Sequence, residues 1–143
     1  MRLAAVILAA GQGTRMKSNL PKVLHPVAGK PMIQYAVEAA HALGSDNTVM
    51  VVGHGADEVR AAAGEGVQFV EQREQRGTGH AVLQARDLLT GRADTVLVTY
   101  GDMPLLETAS LKQLADLHAA ARATITMLTV TADTSGKSWH SYR

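Results

Sequence analysis

The sequence has no cysteine and little aromatic content, with Phe, Trp and Tyr making up 3% of its 143 residues. The lack of cysteine excludes disulfides, thiolate zinc sites and cysteine nucleophiles. Scarce aromatic residues disfavour the base-stacking platforms of proteins that bind single-stranded nucleic acid. The net charge of +1 also lacks the broad basic surplus of a nucleic-acid-binding protein. We therefore expect a cytoplasmic protein without a nucleic-acid partner.

Long hydrophobic runs are also lacking, and no stretch is long enough to span a membrane. The apolar run LAAVILAA, residues 3–10, follows Met1 and Arg2. A positive charge followed by an apolar segment resembles the start of a signal peptide. However, a glycine-rich basic loop follows it, where a signal peptide would have a small-x-small cleavage site. The favoured interpretation is a buried parallel strand, with no membrane partner.

Apolar runs alternate with helical patterns along a chain of one domain's length. The predicted strands are Leu3–Leu8, Thr48–Val52, Val67–Val70, Thr95–Thr99 and Thr124–Val130. The predicted helices are Met32–Leu43, Ala56–Ala63, Gly79–Leu89 and Thr108–Ala121, with Thr78 capping the third and Thr108 or Ser110 the fourth. This order predicts an α/β fold, a Rossmann-like open and mostly parallel sheet with helices on both faces. Ligands of such sheets bind beyond the carboxyl ends of the strands, which selects the loops after Leu8, Val70 and Thr99.

The loop after the first strand reads AAGQGTRMKSNLPK. It fits neither a P-loop nor a dinucleotide-binding fingerprint, because Met16 stands where each motif needs glycine. Gly11 and Gly13 can nevertheless adopt positive φ and turn backbone N–H groups inward, and Arg15 and Lys22 add full positive charges. A solvated surface loop with incidental lysines is the alternative. Its position directly after a buried strand favours a phosphate site.

The loop after the fourth strand, VTYGDMPLL, carries Asp102 at the same predicted edge of the sheet. A carboxylate beside a phosphate is repulsive unless a cation lies between them, and Mg²⁺ commonly takes one or two carboxylates together with phosphate oxygens. The alternative is a turn that Asp102 starts with Pro104. Convergence with the basic loop favours the metal interpretation.

The third of these loops is QREQRGTGHA, residues 72–81, which gives weak evidence when it is taken alone. Gln72 and Gln75 offer paired donors and acceptors, as the edge of a pyrimidine requires. Gly77 and Gly79 permit close backbone approach. The chain's six histidines, of which only His80 lies in a site loop, are interpreted as structural or surface groups, and no G-x-S-x-G nucleophile elbow is present.

Several of these stretches together resemble a known family. LAAGQGTRM, S-N-L-P-K-V-L-H, G-K-P-M, Q-R-E-Q-R-G-T-G-H-A and Y-G-D-M-P-L are similar to motifs of the sugar-nucleotide pyrophosphorylases. Within that superfamily they resemble the uridyltransferase half of the bifunctional N-acetylglucosamine-1-phosphate uridyltransferase/glucosamine-1-phosphate acetyltransferases. The resemblance covers about residues 3 to 130.

The resemblance implies a nucleotidyltransferase with the nucleotide-diphospho-sugar transferase fold. The reaction would be Mg²⁺-dependent uridylyl transfer from UTP to N-acetylglucosamine 1-phosphate, giving pyrophosphate and a precursor of peptidoglycan in the cytoplasm. The catalytic residues would be Arg15 and Lys22, which would hold the triphosphate and the departing pyrophosphate. The residues that would bind the substrate are Leu8, Ala10, Gly11, Gly13, Gln72, Gly77, Thr78, Tyr100 and Gly101. Of these, Gly13 is included because of the loop's own composition, and the others because of the resemblance. Asp102 would bind the metal.

After Val130 the resemblance ends, and the sequence reads TADTSGKSWHSYR where the family has a G-x-G-R segment and sugar-binding residues. We therefore expect residues 1–131 to form the nucleotide-binding part of the domain, residues 132–143 to be an unmatched tail, and the sheet to be incomplete at its C-terminal side. The family's homo-oligomer is built by the acetyltransferase half, which has no counterpart here. Alternatives are another sugar-1-phosphate nucleotidyltransferase, or a non-catalytic fragment that binds nucleotide.

Overall fold

A computed structural model describes residues 2–129 of the chain. The strands are β1 (Leu3–Ala9), β2 (Pro26–Val27), β3 (Lys30–Pro31), β4 (Asn47–Val52), β5 (Val67–Glu71) and β6 (Thr95–Tyr100). The helices are α1 (Met32–Ala42), α2 (Ala56–Ala63), α3 (Thr78–Gln84), α4 (Arg86–Leu89) and α5 (Thr108–Ala121). Within the described range no helix is both long and apolar enough to cross a membrane.

The main sheet has four parallel strands in the order β5-β4-β1-β6. The chain moves outward from β1 to β4 and β5, then crosses back to place β6 on the other side of β1. The strand order therefore reverses between β1 and β6. In open α/β sheets this switch point is where ligands bind, because the loops that follow the two strands diverge to opposite faces.

Two hydrophobic clusters cover the two faces of the central strands. On one face, Ile7 and Met50 pack with Ile33 of α1 and Val59 of α2. On the other, Val6 packs with strand β4 and with Ala81, Ala85 and Leu89 from the region of α3 and α4. Residues 4–7 of β1 are completely buried, which explains why this strand is apolar along its whole length rather than alternating.

Strand β6 is less well covered. Val96, Val98 and Tyr100 are in register with residues 4, 6 and 8 of β1 but are each 40–43% exposed. They share the sheet face that α3 and α4 cover elsewhere, and α3 packs over β1 and β4 instead. Within residues 2–129, no strand pairs with the outer edge of β6.

The predicted α/β class and parallel sheet are confirmed, and α2 and α5 have the predicted bounds. The predicted helix Gly79–Leu89 is wrong in one respect, since it is two helices. The chain tightens at Ala85, whose N–H bonds to the carbonyl of Val82 three residues earlier, as at the tight end of a helix.

Three further details differ from the predictions. Thr78 and Thr108 are the first residues of their helices rather than caps, and the N-cap positions, Gly77 and Glu107, make no side-chain capping bond. Ser110 is likewise inside α5. Residues 124–129 form no strand, because nothing described lies alongside them to complete a ladder; Val130, the last residue of that predicted strand, is outside the described residues. The short β2–β3 hairpin was not predicted, because strands of two residues carry no periodicity.

Candidate functional site

A cleft of about 760 Å³ lies at the carboxyl ends of β1 and β6, where the strand order reverses. Its walls come from the three loops that the strand pattern selected. We call residues 11–22, after β1, the basic loop, and residues 72–77, after β5, the glutamine loop. The third wall is the end of β6 with the turn that follows it. The sheet topology thus gathers segments that are distant in sequence.

The basic loop folds back on itself at Gly13. This residue has a left-handed conformation, φ +59°, and a Cβ placed on it would lie 2.6 Å from the Cβ of Lys22. Both facts require glycine, since other residues are strained there and a methyl group would push Lys22 away. A short 3-10 turn, Thr14–Met16, follows. The sequence therefore brings the two ends of the loop together at the cleft.

The positive charges of the basic loop are solvent-accessible. Arg15 and Lys17 are exposed and form no ion pair within the described part of the chain. Arg15 lines the cleft and Lys17 does not. An exposed guanidinium without an acidic partner is available to an anion, and Arg binds phosphate oxygens through two parallel hydrogen bonds.

Lys22 and Asp102 meet directly. The Nζ of Lys22 donates to Oδ2 of Asp102 over 2.7 Å, with 42% and 31% of the two side chains exposed. The far end of the loop is anchored beside them, because Pro21 packs so closely on Gly55 that a Cβ there would lie 2.3 Å from the proline Cγ. The predicted convergence of the basic loop and Asp102 is thus present in the structure as an ion pair.

The donor set suits a metal ion shared with a ligand rather than one held by protein alone. Residues 2–129 contain no group of three or more His, Asp or Glu residues that could enclose a metal. Asp102 offers one carboxylate at the edge of the cleft. Mg²⁺ is commonly bound in this way, by one or two carboxylates with substrate phosphates and water completing its shell.

The glutamine loop is tied down by amide hydrogen bonds. Gln72 is only 6% exposed, and its Nε2 donates to the carbonyl oxygen of Gly77 over 3.2 Å. Gln75 donates from Nε2 to the carbonyl oxygen of Ala10 over 2.7 Å, which joins this loop to the start of the basic loop. At the base of the loop, Arg60 bonds to Glu71 and lowers the pKa of that carboxyl group.

Gly101 differs from its neighbours at the end of β6. Its N–H donates to the carbonyl oxygen of Leu8 over 2.9 Å, and it is buried. A Cβ at this position would lie 3.1 Å from Cγ1 of Val23. Gly101 therefore supports the wall of the cleft from behind, whereas Tyr100 lines it.

The structure brings together nearly all the predicted site residues. Those that line the cleft are Leu8, Ala10, Gly11, Gly13, Arg15, Lys22, Gln72, Gly77, Thr78, Tyr100 and Asp102. The cleft also includes residues to which the sequence analysis gave no role, namely Ala9, Thr14, Met16, Val23 and Ala81. The only feature of the sequence that could have indicated these residues is their position, since each lies within a few residues of a predicted site residue.

Comparison with known proteins gives a consistent family relationship. The profile of the MobA-like NTP transferase domain matches residues 5–140 of the chain. The bifunctional protein GlmU of Shouchella clausii is 54% identical over 125 residues, which are 87% of this chain and 28% of that protein. GlmU of Burkholderia mallei is 56% identical over 129 residues, 90% of this chain and 28% of that protein. The chain therefore spans little more than a quarter of the length of these relatives, and the resemblance inferred from the motifs is confirmed.

Solved structures agree on the fold. A nucleotidyl transferase from Methanothermobacter (Mth528) superposes with a TM-score of 0.69 at 28% identity, covering 80% of this chain and 57% of that one. The protein Rv0371c of Mycobacterium tuberculosis, in a complex with manganese, also gives a TM-score of 0.69 at 28% identity, covering 83% of this chain and 60% of that one. Both share the fold of the described residues, and the first places the described sheet within the architecture of a nucleotidyl transferase.

Proposed function

The chain belongs to the family of MobA-like NTP transferase domains, and on that premise we propose that it binds UTP and transfers its uridylyl group to N-acetylglucosamine 1-phosphate. The likeness to the bifunctional protein GlmU supports this choice among nucleotidyltransferases. The transfer would release pyrophosphate and yield UDP-N-acetylglucosamine, a precursor of cell-wall peptidoglycan. A protein acting on UTP in this way would work in the cytoplasm.

The observation that carries the proposal is the contact between Lys22 and Asp102 at the switch point of the sheet. It puts a cation and a carboxylate next to each other, and the exposed Arg15 lines the same cleft. A triphosphate with its metal ion needs both kinds of group, since the cations bind phosphate oxygens and the carboxylate binds the metal.

The reaction makes modest demands on the protein. An oxygen of the sugar phosphate forms a bond to the α-phosphorus of UTP, and the bond from that phosphorus to the bridging oxygen of pyrophosphate breaks. No protein nucleophile is needed. Because both partners are anions, catalysis depends on holding them in line and neutralising charge. Arg15 and Lys22 would hold the triphosphate and stay with the departing pyrophosphate.

Nucleotide selection would fall to the glutamine loop and the start of α3. Gln72, Gly77 and Thr78 line the cleft on the side away from Asp102's loop and would contact uracil. Leu8, Ala10, Gly11 and Gly13 would contact the nucleotide from the end of β1, and Tyr100 would lie along the ribose. Gly101 would act through Tyr100 and Leu8, given its buried position.

The proposal includes Mg²⁺ at Asp102. A bound divalent ion would neutralise phosphate charge there, and the presence of manganese with Rv0371c supports a divalent ion in this architecture. Within the protein, the consequence is that Lys22 would exchange its carboxylate partner for a phosphate oxygen when nucleotide and metal arrive.

The proposal is tested in two steps. Calorimetric titration of the purified chain with UTP and Mg²⁺, with CTP and ATP as controls, should show selective UTP binding. Addition of N-acetylglucosamine 1-phosphate should then release pyrophosphate, and glucose 1-phosphate should compete poorly. Lack of UTP binding by a chain that circular dichroism shows to be folded would refute the site. Binding without release would identify a nucleotide-binding unit, and release with another sugar phosphate would correct the substrate.

A further inference from the structure

The amide of Gln72 is held by two neighbours at once. Its Nε2 lies 3.2 Å from the carbonyl oxygen of Gly77 and 3.0 Å from Nδ1 of His80. A carbonyl oxygen can only accept, so the atom facing Gly77 must be the amide nitrogen. The orientation of the Gln72 amide is therefore determined by chemistry, and both of its N–H groups have a protein acceptor.

The contact to His80 fixes the protonation of the ring. For Gln72 to donate to Nδ1, that nitrogen must be unprotonated, so the neutral ring carries its proton on Nε2. Gln84 also approaches the ring, with its Nε2 3.2 Å from Nε2 of His80, but the same amide nitrogen already donates to the His80 carbonyl oxygen over 3.0 Å. With Nε2 protonated, the Gln84 amide has to turn its oxygen toward the ring and give up its bond to the His80 carbonyl. Gln84 is only half-buried, whereas Gln72 is 6% exposed, so the more buried amide, Gln72, is the one that decides the tautomer.

The amide oxygen of Gln72 is then its only group left for a ligand. Within residues 2–129, the sole buried side-chain polar atom without a hydrogen-bond partner is Nε2 of His25. The Gln72 oxygen also makes no hydrogen bond within that range, and because it is not one of the fully buried unpartnered atoms, it keeps some exposure, which we assign to the cleft that Gln72 lines. The residue thus presents an acceptor and no donor.

We propose that His80 is a positioning residue that holds Gln72 with its amide oxygen toward the cleft, so that the site selects a base with an N–H donor on its pairing edge. Uracil has such a donor at N3, whereas cytosine has a lone pair there. The inference rests on the proposed function, since it assigns the base preference of the same site. His80 contacts no nucleotide in this arrangement and acts only through Gln72.

The first test does not require nucleotide binding. Two-bond ¹H–¹⁵N correlation spectra of the free chain, at a pH that keeps imidazoles neutral, report which ring nitrogen carries the proton. His80→Asn identifies the His80 signals by their loss. The expected result is a proton on Nε2 with Nδ1 unprotonated. A proton on Nδ1 would overturn the proposal.

The second test compares UTP and CTP binding by calorimetry. His80→Ala removes one of two hydrogen bonds on the Gln72 amide and should lower the preference for UTP over CTP by about 3- to 10-fold. His80→Asn, whose side-chain oxygen can lie where Nδ1 was, should restore most of it. Gln84→Ala, which alters the ring's other contact, should leave the preference unchanged.

Retention of the full preference by a folded His80→Ala variant would overturn the proposal, as would equal losses in His80→Ala and His80→Asn. If the unmutated chain prefers neither nucleotide, the proposed function fails instead, and the ring tautomer alone decides the role of His80.

Discussion

The basic loop and the glutamine loop face the same cleft but are built in opposite ways. The basic loop exposes charged side chains to water and is anchored mainly at its two ends, by Gly13 and by the Lys22–Asp102 pair. The glutamine loop presents amides whose nitrogens are already bonded to backbone carbonyls. Under the proposed function, this difference would correspond to two separate roles for the loops. Exposed charges attract any polyphosphate, whereas a fixed amide distinguishes one base from another.

The largest expected effect comes from the charged side of this comparison. Lys22→Ala should reduce the rate of pyrophosphate release by about 100- to 1000-fold, the usual scale for losing one preorganised charge in a site. Arg15→Ala and Asp102→Ala should fall in the same range. Lys17→Ala, in the same loop but outside the cleft, is the matched control and should change the rate little. Equal losses at Lys17 and Lys22 would mean that overall charge matters and position does not.

A change in the conformation of the basic loop should have a smaller effect on function than the loss of one of its charges. Its effect should be larger than the loss of a single hydrogen bond from a side-chain amide. Gly13→Ala forces a side chain into a left-handed conformation and against Lys22, and should weaken UTP binding by about 5- to 30-fold, in line with a cost of roughly 1–2 kcal/mol for left-handed backbone. Gly91→Ala carries similar backbone strain, φ +75° with open space around it, far from the cleft. It should lower the melting temperature without changing UTP affinity.

Gln75 joins the two loops through its hydrogen bond to the carbonyl oxygen of Ala10. Removal of the Gln75 side chain therefore tests whether the two loops contribute to UTP binding independently. Gln75→Ala should weaken UTP binding by about 2- to 10-fold, the scale of one neutral hydrogen bond. Gln34→Ala removes the same type of bond, from an amide to the carbonyl of Ala62, outside the cleft. Calorimetry on both variants should show a loss of affinity only for the first. Unchanged binding by Gln75→Ala would show that the loops work independently.

The smallest effect lies outside both loops. Arg2 holds the pKa of Asp94 at about 2, below its ordinary value of 3.8. The pair therefore favours the folded state above pH 3.8, and this contribution is lost as the pH falls from there toward 2. Thermal unfolding followed across that range should show a slightly steeper loss of stability for the unmutated chain than for Asp94→Asn. UTP affinity at neutral pH should be the same in both, and a change would show that this distant pair influences the cleft.

Much of the fold could be predicted because its two central strands, β1 and β4, are buried on both faces. Apolar runs such as Leu3–Ala9 mark central parallel strands, and the strand order then locates the ligand edge. The sequence could not reveal contacts that depend on the third dimension. Gln75 bonds to a residue 65 positions away, and nothing in the glutamine loop indicates that partner. The roles of Leu8 and Ala10 came from the family resemblance, since small apolar residues carry no chemical signal of their own.

The break at Ala85 and the β2–β3 hairpin escaped prediction for a different reason. Both are decided by one or two backbone angles, such as the positive φ values of Ala28 and Gly29 in the hairpin turn. An alanine in such a turn is uncommon and gives no warning in the sequence. The proposed role of His80 could not be predicted either. Its contacts with the amides of Gln72 and Gln84 become visible only when the positions of these side chains in the fold are known.

The central position of β1 also determines the order in which the protein can be completed during synthesis. Residues 4–9 pair with β4 on one side, beginning at Asn47, and Leu3 pairs with Thr95 on the other. One edge of β1 can therefore pair as soon as β4 has been synthesised, whereas the other edge must wait for β6, about ninety residues after β1 itself, because translation runs from the N-terminus. In the nascent chain the edge of β1 that pairs with β6 stays open for longest, and chaperones that bind short apolar segments have their longest opportunity there.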